Sequence, residues 1–217
     1  MKIRSTADLN EAIDRELSWR KTELQTLNFV IEKQKDNHEK DALFRAAVPI
    51  LYAHWEGFTK QAASYYLELV FRQKLKLSEL KSNFVAIVCR SYFKDASESE
   101  KISVRKKLID YIRENENKRV IIPKDNVIDT ESNLSSTVLK SIFSTIGLSY
   151  DDSWKVNELL LDESLLKARN DIAHGEHRII DKKTYKQLHE LVICLMDNIR
   201  TDIQNAAILK RYLIKTD

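Results

Sequence analysis

The fold class of this chain is decided by the stretch LYAHWEGFTKQAASYYLEL, residues 51–69. Its large apolar side chains recur every three or four residues, which is the spacing of one face of an α-helix. The pattern predicts a long helix over about residues 41–74, bent or begun afresh near Pro49. The residues of this apolar face, which we expect in the core, are Leu51, Trp55, Phe58, Ala62, Tyr65 and Leu69.

Helical spacing recurs on both sides of this stretch. The helices expected from it cover about residues 5–36, 78–92, 99–113, 135–146 and 182–214, and a further one begins near 151 or 162 and ends at 173 or 174. Residues 114–133 lose the periodicity, which predicts a long surface excursion with one short extended piece at 120–122. We therefore expect a helical bundle in which two long helices come first and one long helix comes last.

The composition supports a single all-α domain over residues 1–217. The chain has only three glycines and two prolines, too few turn-forming residues for a sheet of many strands. Neither a phosphate-binding P-loop nor a dinucleotide-binding glycine motif can be written from those three glycines. Single-domain length and long amphipathic helices fit the same conclusion.

Charge and cysteine content give weaker constraints. The formal net charge is +3, which permits a nucleic-acid partner without requiring one. Cys89 and Cys194 lie in apolar helical runs without zinc-like spacing, so we expect buried, reduced thiols and no metal or cofactor. The charged N-terminal stretch has no signal-peptide pattern, and no window has the apolar length of a membrane span. These features predict a cytoplasmic protein that does not bind membranes.

A candidate site for chemistry lies in LLKARNDIAHGEH, residues 165–177. At about 100° per residue, one face of this helix carries an apolar stripe that must contact the core, formed by Leu161, Leu165, Ala168 and Ile172. The opposite face is polar and carries Glu163, Lys167, Asn170 and His174. Arg169 lies beside the apolar stripe, about 140° from His174 on an ideal helix. Either the helix loosens before His174, or the Arg169 side chain curls round, or a second molecule completes the site.

Arg169, four intervening residues and His174 resemble the RxxxxH motif of the HEPN superfamily. The string ARNDIAHG at 168–175 is similar to the form in its prokaryotic toxin–antitoxin and phage-defence branches, and PILYAHWEGF at 49–58 is similar to the corresponding helix of such proteins. The resemblance implies a metal-independent ribonuclease that acts as a homodimer, with both motifs in one cleft. It also implies an RNA substrate and an antitoxin or defence partner protein.

The resemblance gives the motif residues specific roles in cleavage by the 2′-hydroxyl of RNA. That reaction needs a base for the hydroxyl proton, an acid for the leaving 5′-oxygen and a cation for the phosphorane. His174 can exchange protons near neutral pH, and Arg169 offers a planar, permanently charged fork for phosphate oxygens. Asn170 would orient either the imidazole or the phosphate. Two His174 side chains across a two-fold axis could divide the roles of base and acid.

Four other side chains are possible supporting residues. His54 borders the core stripe, so a packed or hydrogen-bonded histidine is the main alternative to a role in the site. Glu56 points away from that stripe, Lys167 shares the face of His174, and His177 follows in the loop; ordinary solvent exposure is the alternative for each. Candidate RNA contacts are the basic clusters at 105–107, 118–119 and 182–183.

Three other functions compete with a HEPN ribonuclease. A metal-dependent nuclease is disfavoured because the sequence has no HExxH motif and no Cys/His ligand spacing. A catalytically inactive HEPN-like module that binds RNA or protein is the main alternative, although intact Arg169, Asn170 and His174 argue against lost activity. A purely structural helical bundle is the third possibility.

Overall fold

The computed structural model describes residues 2–120 and 127–214. Three long helices form its centre: α1 (Thr6–Glu32), α2 (His38–Arg72) and α9 (Lys182–Ile208), with α2 packed along both of the others. All three are capped at their N-termini, by Ser5, Asn37 and Asp181, whose side chains accept backbone N–H bonds of the first turn. The prediction of two long leading helices and a long closing helix is confirmed.

Shorter helices complete the all-α fold. They are α3 (Ser82–Val88), α4 (Arg90–Ser97), α5 (Ile102–Asn115), α6 (Ser136–Ile146), α7 (Asp152–Lys155), a π-helical segment at Leu160–Leu166 and α8 (Lys167–Ala173), with a 3-10 turn at Leu77–Glu79. In the described ranges there are no β-strands, only two isolated antiparallel bridges. Within residues 2–120 and 127–214, no helix is both long enough and apolar enough to cross a membrane.

The core follows the apolar stripe of α2. Leu51, Trp55, Phe58, Ala62 and Leu69 are buried as expected, and Tyr65 packs at the edge of the core. Pro49 neither ends nor restarts the helix, which continues through it from His38 to Arg72. α2 has a central position, in contact with α1, α9 and α8.

Several predicted helix bounds are wrong. The helix expected at 78–92 is divided at Cys89, whose backbone leaves helical geometry (φ −89°, ψ 9°) between α3 and α4. The final helix ends at Ile208 rather than near 214, because Lys210 takes a positive φ of 48°. α1 ends at Glu32, four residues before the predicted end. Cys194 is exposed on α9, so the prediction of two buried thiols holds only for Cys89.

The segment expected as a surface excursion, 114–133, is anchored at both ends of its described part. Near its start, the backbone of Leu77 donates to Lys118 O (3.2 Å) and that of Val120 to Leu75 O (2.9 Å). Towards its end, Ile128 and Thr130 are buried. At these two residues the chain therefore packs against the bundle. Of the extended piece predicted at 120–122, Ile121 and Ile122 lie outside the described residues.

Candidate active site

The helix that carries Arg169 and His174 begins with wider turns than an α-helix. Its π-helical segment, Leu160–Leu166, continues without a break into α8, since Leu166 and Lys167 both have right-handed helical backbone angles. π-helical turns occur often at functional sites. The predicted apolar stripe is confirmed, because Leu161, Leu165 and Ala168 are buried and Ile172 packs against the core.

Arg169 is half-buried, and its side chain turns toward α2 and the segment before α6. Its Nη1 donates to Asn133 Oδ1 (2.8 Å) and to Asn170 Oδ1 (2.8 Å). Its guanidinium carbon lies over the ring of Tyr52, 4.9 Å from the centroid, within the range of a cation–π interaction. Three contacts from three parts of the chain therefore fix the orientation of this cation.

Tyr52 links α2 to the segment that contains Asn133. Its hydroxyl accepts a hydrogen bond from the backbone N–H of the buried Leu134, and Glu56, one helical turn later, interacts with the same hydroxyl. Burial, as the largest cause, and the nearby Glu56 carboxylate together raise the pKa of Tyr52 to about 12, against the opposing effect of the Leu134 N–H and the Arg169 charge. The phenol therefore stays protonated at any physiological pH and is not a candidate base.

His174 lies at the point where α8 ends. Its backbone N–H donates to Asn170 O (2.9 Å), and Gly175 follows with a φ of +79°, the left-handed conformation that commonly ends a helix. The end of this helix was predicted at Ala173 or His174, with Gly175 as the residue beyond it, and this is confirmed. The imidazole is exposed to solvent, and none of the hydrogen bonds found across residues 2–120 and 127–214 joins it to Arg169.

The loop after α8 is tied back to the helices. Arg178 Nη1 lies 3.2 Å from Asp171 Oδ2, and Arg45 Nη1 on α2 donates to Arg178 O (3.2 Å). His177 immediately precedes Arg178 and is exposed. The loop thus holds a second solvent-facing imidazole three residues from His174.

The other possible supporting residues lie in different surroundings. Lys167 is exposed and pairs with Glu163 at 3.7 Å. His54 is buried on the face of α2 that contacts α1, where its Nε2 lies 3.3 Å from Glu23 Oε2 and its ring meets Trp19 edge-on. The structure therefore groups Glu56 with Arg169, through Tyr52, and does not bring His54 to that group.

The three predicted basic clusters lie in three different parts of the fold, on α5, on α9 and after the end of α5. Lys106 on α5 pairs with Asp110 at 2.5 Å, and Lys182, at the start of α9, pairs with Glu32 at 2.9 Å. Arg119 forms an isolated bridge with Lys76 through its backbone. In the described part of the chain no three His, Cys, Asp or Glu side chains are grouped as metal ligands.

Tyr52 and Asn133 were not identified from the sequence. Tyr52 follows Leu51, a residue of the apolar stripe of α2, so a tyrosine there is expected only to pack. Nothing in the sequence indicates that a cation lies above its ring. Asn133 is separated from Arg169 by 36 positions. Its only local indication is its place just before Ser135, the N-cap of α6.

A comparison with protein families matches residues 15–205 to RiboL-PSP-HEPN. The chain belongs to this HEPN family. The match covers all of α2, most of α9 and the last two thirds of α1, and it includes both α8 and the segment that contains Asn133. No curated protein and no solved structure matches this HEPN chain significantly.

Proposed function

We propose that this HEPN protein is a metal-independent endoribonuclease and that Arg169, Asn170 and His174 are its catalytic residues. The proposal rests on a contrast between Arg169, on α8, and His174, the residue that follows this helix. Arg169 is held rigidly by Asn133, Asn170 and Tyr52, while the His174 imidazole is open to solvent. Cleavage of an RNA phosphodiester requires both a fixed cation and an accessible acid–base group.

In this mechanism the 2′-hydroxyl of RNA attacks the neighbouring phosphorus. The new bond joins O2′ to phosphorus, and the bond from phosphorus to O5′ breaks, which gives a 2′,3′-cyclic phosphate and a 5′-hydroxyl. One imidazole takes the proton from O2′, and a protonated imidazole gives a proton to O5′. Arg169 stabilises the negative charge that gathers on the non-bridging oxygens.

One chain offers only one His174, and a single imidazole cannot be neutral base and protonated acid at the same instant. We propose that two copies pair so that both His174 side chains face one scissile phosphate. The exposure of the imidazole and the absence of a hydrogen bond to Arg169 across the described residues support this composite site. Glu56, Lys167 and His177 would line the approach to the cleft.

The proposal also includes a role for this ribonuclease as a toxin or a phage-defence effector. It predicts a cytoplasmic enzyme that is harmful when made alone and is restrained by an antitoxin or defence partner. Expression of the native protein should slow growth, whereas expression of His174→Ala to the same level should not. Equal growth of the two strains would contradict this role without affecting the proposal of RNA cleavage.

The alternative is a HEPN-like module that binds RNA or protein without cleaving it. One observation favours it: Arg169 already makes three contacts within its own chain, as a purely structural arginine would. Binding of RNA that stays intact, in the native protein and in His174→Ala alike, would establish this alternative.

Total RNA incubated with purified protein and a chelator tests the enzyme directly. We expect cleavage to persist in the chelator and to fall by at least about a hundredfold in His174→Ala, the scale of general acid–base catalysis. His38→Ala is the matched control, because His38 is also exposed but lies at the start of α2. Cleavage that the chelator abolishes, or that His174→Ala retains, would refute the proposal.

A mixing experiment tests the composite site. Inactive His174→Ala subunits, added in excess to the native protein and allowed to exchange, should convert most native chains into heterodimers with one imidazole. We therefore expect activity per native subunit to fall as the variant is added. Activity that stays constant per native subunit would mean that each subunit cleaves alone.

A further inference from the structure

We propose that Asn133 is a positioning residue for Arg169, and that it holds the guanidinium without cancelling its charge. This inference rests on the proposed function, since it assigns the phosphate-facing edge of the same site. Asn133 lies outside the Arg169–His174 motif and precedes α6. Its side chain reaches Arg169 across the gap between that segment and α8.

The hydrogen-bond pattern leaves one side of the guanidinium available. Asn133 Oδ1 and Asn170 Oδ1 both accept from Nη1, each at 2.8 Å, and these bonds use both Nη1 protons. No other hydrogen bond to this guanidinium occurs within residues 2–120 and 127–214. The edge formed by Nε and Nη2 is therefore free to hold two phosphate oxygens in a bidentate contact.

The chemical type of the two acceptors matters as much as their position. Both are neutral amide oxygens, whereas a buried or half-buried arginine usually pairs with a carboxylate. A carboxylate in the same place would orient the guanidinium but would also neutralise it. Amide acceptors fix the orientation without pairing the guanidinium with a negative charge.

Asn133 is itself held in place. Its neighbour Leu134 is buried and donates its N–H to the hydroxyl of Tyr52, the residue whose ring lies beneath the guanidinium. Its own carbonyl accepts a hydrogen bond from the N–H of Ser135 (3.0 Å). Because Tyr52 touches both Arg169 and the Asn133 segment, the amide and the cation share one support. Such a second layer of contacts is what keeps a reactive group in a productive geometry.

Asn133→Asp separates a positioning role from a structural one. The aspartate keeps the shape and the acceptor oxygen, so the fold should be as stable as before or more stable. Its charge, however, would pair with Arg169 and compete with phosphate. We expect the affinity for a fluorescent single-stranded RNA, made uncleavable by 2′-deoxy substitution, to fall about tenfold, on the scale of a charge-assisted hydrogen bond. Asn133→Ala should weaken binding by a smaller factor.

Two controls make the test specific. Asn28→Asp adds the same charge at another half-buried asparagine, on α1, and corrects for the change in net charge. A double-mutant cycle with Arg169→Gln tests the coupling, because Asn133→Asp should have no further effect once the guanidinium is gone. Thermal unfolding of each variant confirms that the loss of binding is not a loss of fold.

The outcomes separate this inference from the proposed function. If Asn133→Asp binds RNA as Asn28→Asp does, or if its effect persists in Arg169→Gln, the positioning role is overturned, while cleavage by the native protein would leave the ribonuclease intact. If the native protein binds but does not cleave RNA and Asn133→Asp still weakens binding through Arg169, the positioning role stands and the nuclease fails. A native protein that does not bind RNA would overturn both.

Discussion

Asp162 and Ser136 join the π-helical segment to the start of α6. Asp162 Oδ1 accepts from the backbone N–H of Ser136 (2.8 Å), and its Oδ2 accepts from the Ser136 hydroxyl (2.6 Å). Ser136 is buried, so both of its donors depend on this carboxylate. The pair fixes the helix that carries Arg169 relative to the segment that carries Asn133.

Asp162→Ala should therefore reduce both stability and activity. The variant leaves two buried donors of Ser136 without a partner, at a cost of about 1–3 kcal/mol in the free energy of unfolding. Because the two halves of the site would then move relative to each other, we also expect the rate of RNA cleavage to fall at temperatures where the protein is fully folded. Urea denaturation and the cleavage assay measure the two effects.

Asp181→Ala is the matched control for Asp162. Asp181 caps α9 by accepting the N–H of Thr184 at 2.7 Å, and loss of such a cap costs about 0.5–2 kcal/mol. This variant should lose stability without losing cleavage. If both variants lose cleavage in proportion to stability, Asp162 has no specific role in the site.

Substitutions of Tyr52 should distinguish its ring from its hydroxyl. Tyr52→Phe keeps the ring below Arg169 but leaves the buried N–H of Leu134 unpaired, so we expect a loss of about 1–3 kcal/mol in stability and a modest change in cleavage. Tyr52→Leu also removes the cation–π contact, worth about 0.5–2 kcal/mol, and should cleave RNA more slowly than Tyr52→Phe. Equal cleavage by the two variants would show that the ring has no influence on Arg169.

The glycines at 57 and 175 should respond to alanine in opposite directions. Gly175 has a φ of +79° and open space around its α-carbon, so Gly175→Ala carries only the backbone cost of about 1–2 kcal/mol. Gly57 lies within α2, and a Cβ there would meet Arg20 Nη2 at an ordinary 3.5 Å. Gly57→Ala should raise stability by about 0.5–1 kcal/mol. Urea unfolding midpoints, measured at one protein concentration, test both variants. Stability changes of the same sign in the two variants would contradict this prediction.

The stability of the fold should decrease in mild acid because of two histidines. Burial lowers the pKa of His54 and of His189 below the ordinary value of 6.5, and nearby Glu23 offsets this only in part at His54. The unfolded chain therefore takes up protons near pH 6.5 that the native chain does not, and the free energy of unfolding falls as the pH drops through that value toward the lowered pKa. Well above pH 6.5, where both histidines are neutral in the native and in the unfolded chain, they should cause no change.

Unfolding midpoints measured from about pH 7.5 to pH 5 check this prediction. The variant with both His54→Gln and His189→Gln should have a flatter profile than the native protein. His38→Gln, at an exposed histidine on α2, should leave the slope unchanged. A double variant as sensitive to acid as the native protein would exclude these two groups as the cause.

The fold class was predictable because the apolar spacing of this chain is regular over long distances. The core stripe of α2, and the helix ends at Gly147 and Gly175, agree with the structure, since left-handed glycines mark helix ends locally. The break at Cys89 was not predictable, because apolar residues continue through it at helical spacing. Cys194 was expected in the core only because it lies in an apolar run, and it faces solvent.

Of the candidate site, only the residues of the short Arg169–His174 motif were predictable from the sequence. Arg169, Asn170 and His174 lie within six residues of one another, and their spacing is visible in the sequence. The contacts that orient Arg169 come from Tyr52 and Asn133, which are distant along the chain and are brought close by the packing of α2 and α6. Periodicity reports which residues are buried, but it does not report which polar groups will meet.

The π-helical turns at Leu160–Leu166 also decide which way Arg169 points. A π turn takes up about one residue more than an α turn, so the helix beyond it is rotated by about 100° relative to an uninterrupted α-helix of the same sequence. This offset therefore contributes to the direction in which Arg169 leaves the helix toward Tyr52 and Asn133. The orientation of the Arg169 guanidinium thus depends on the number of residues in the π-helical segment. Deletion of one residue there would reorient the guanidinium, although the residues of the motif would be unchanged.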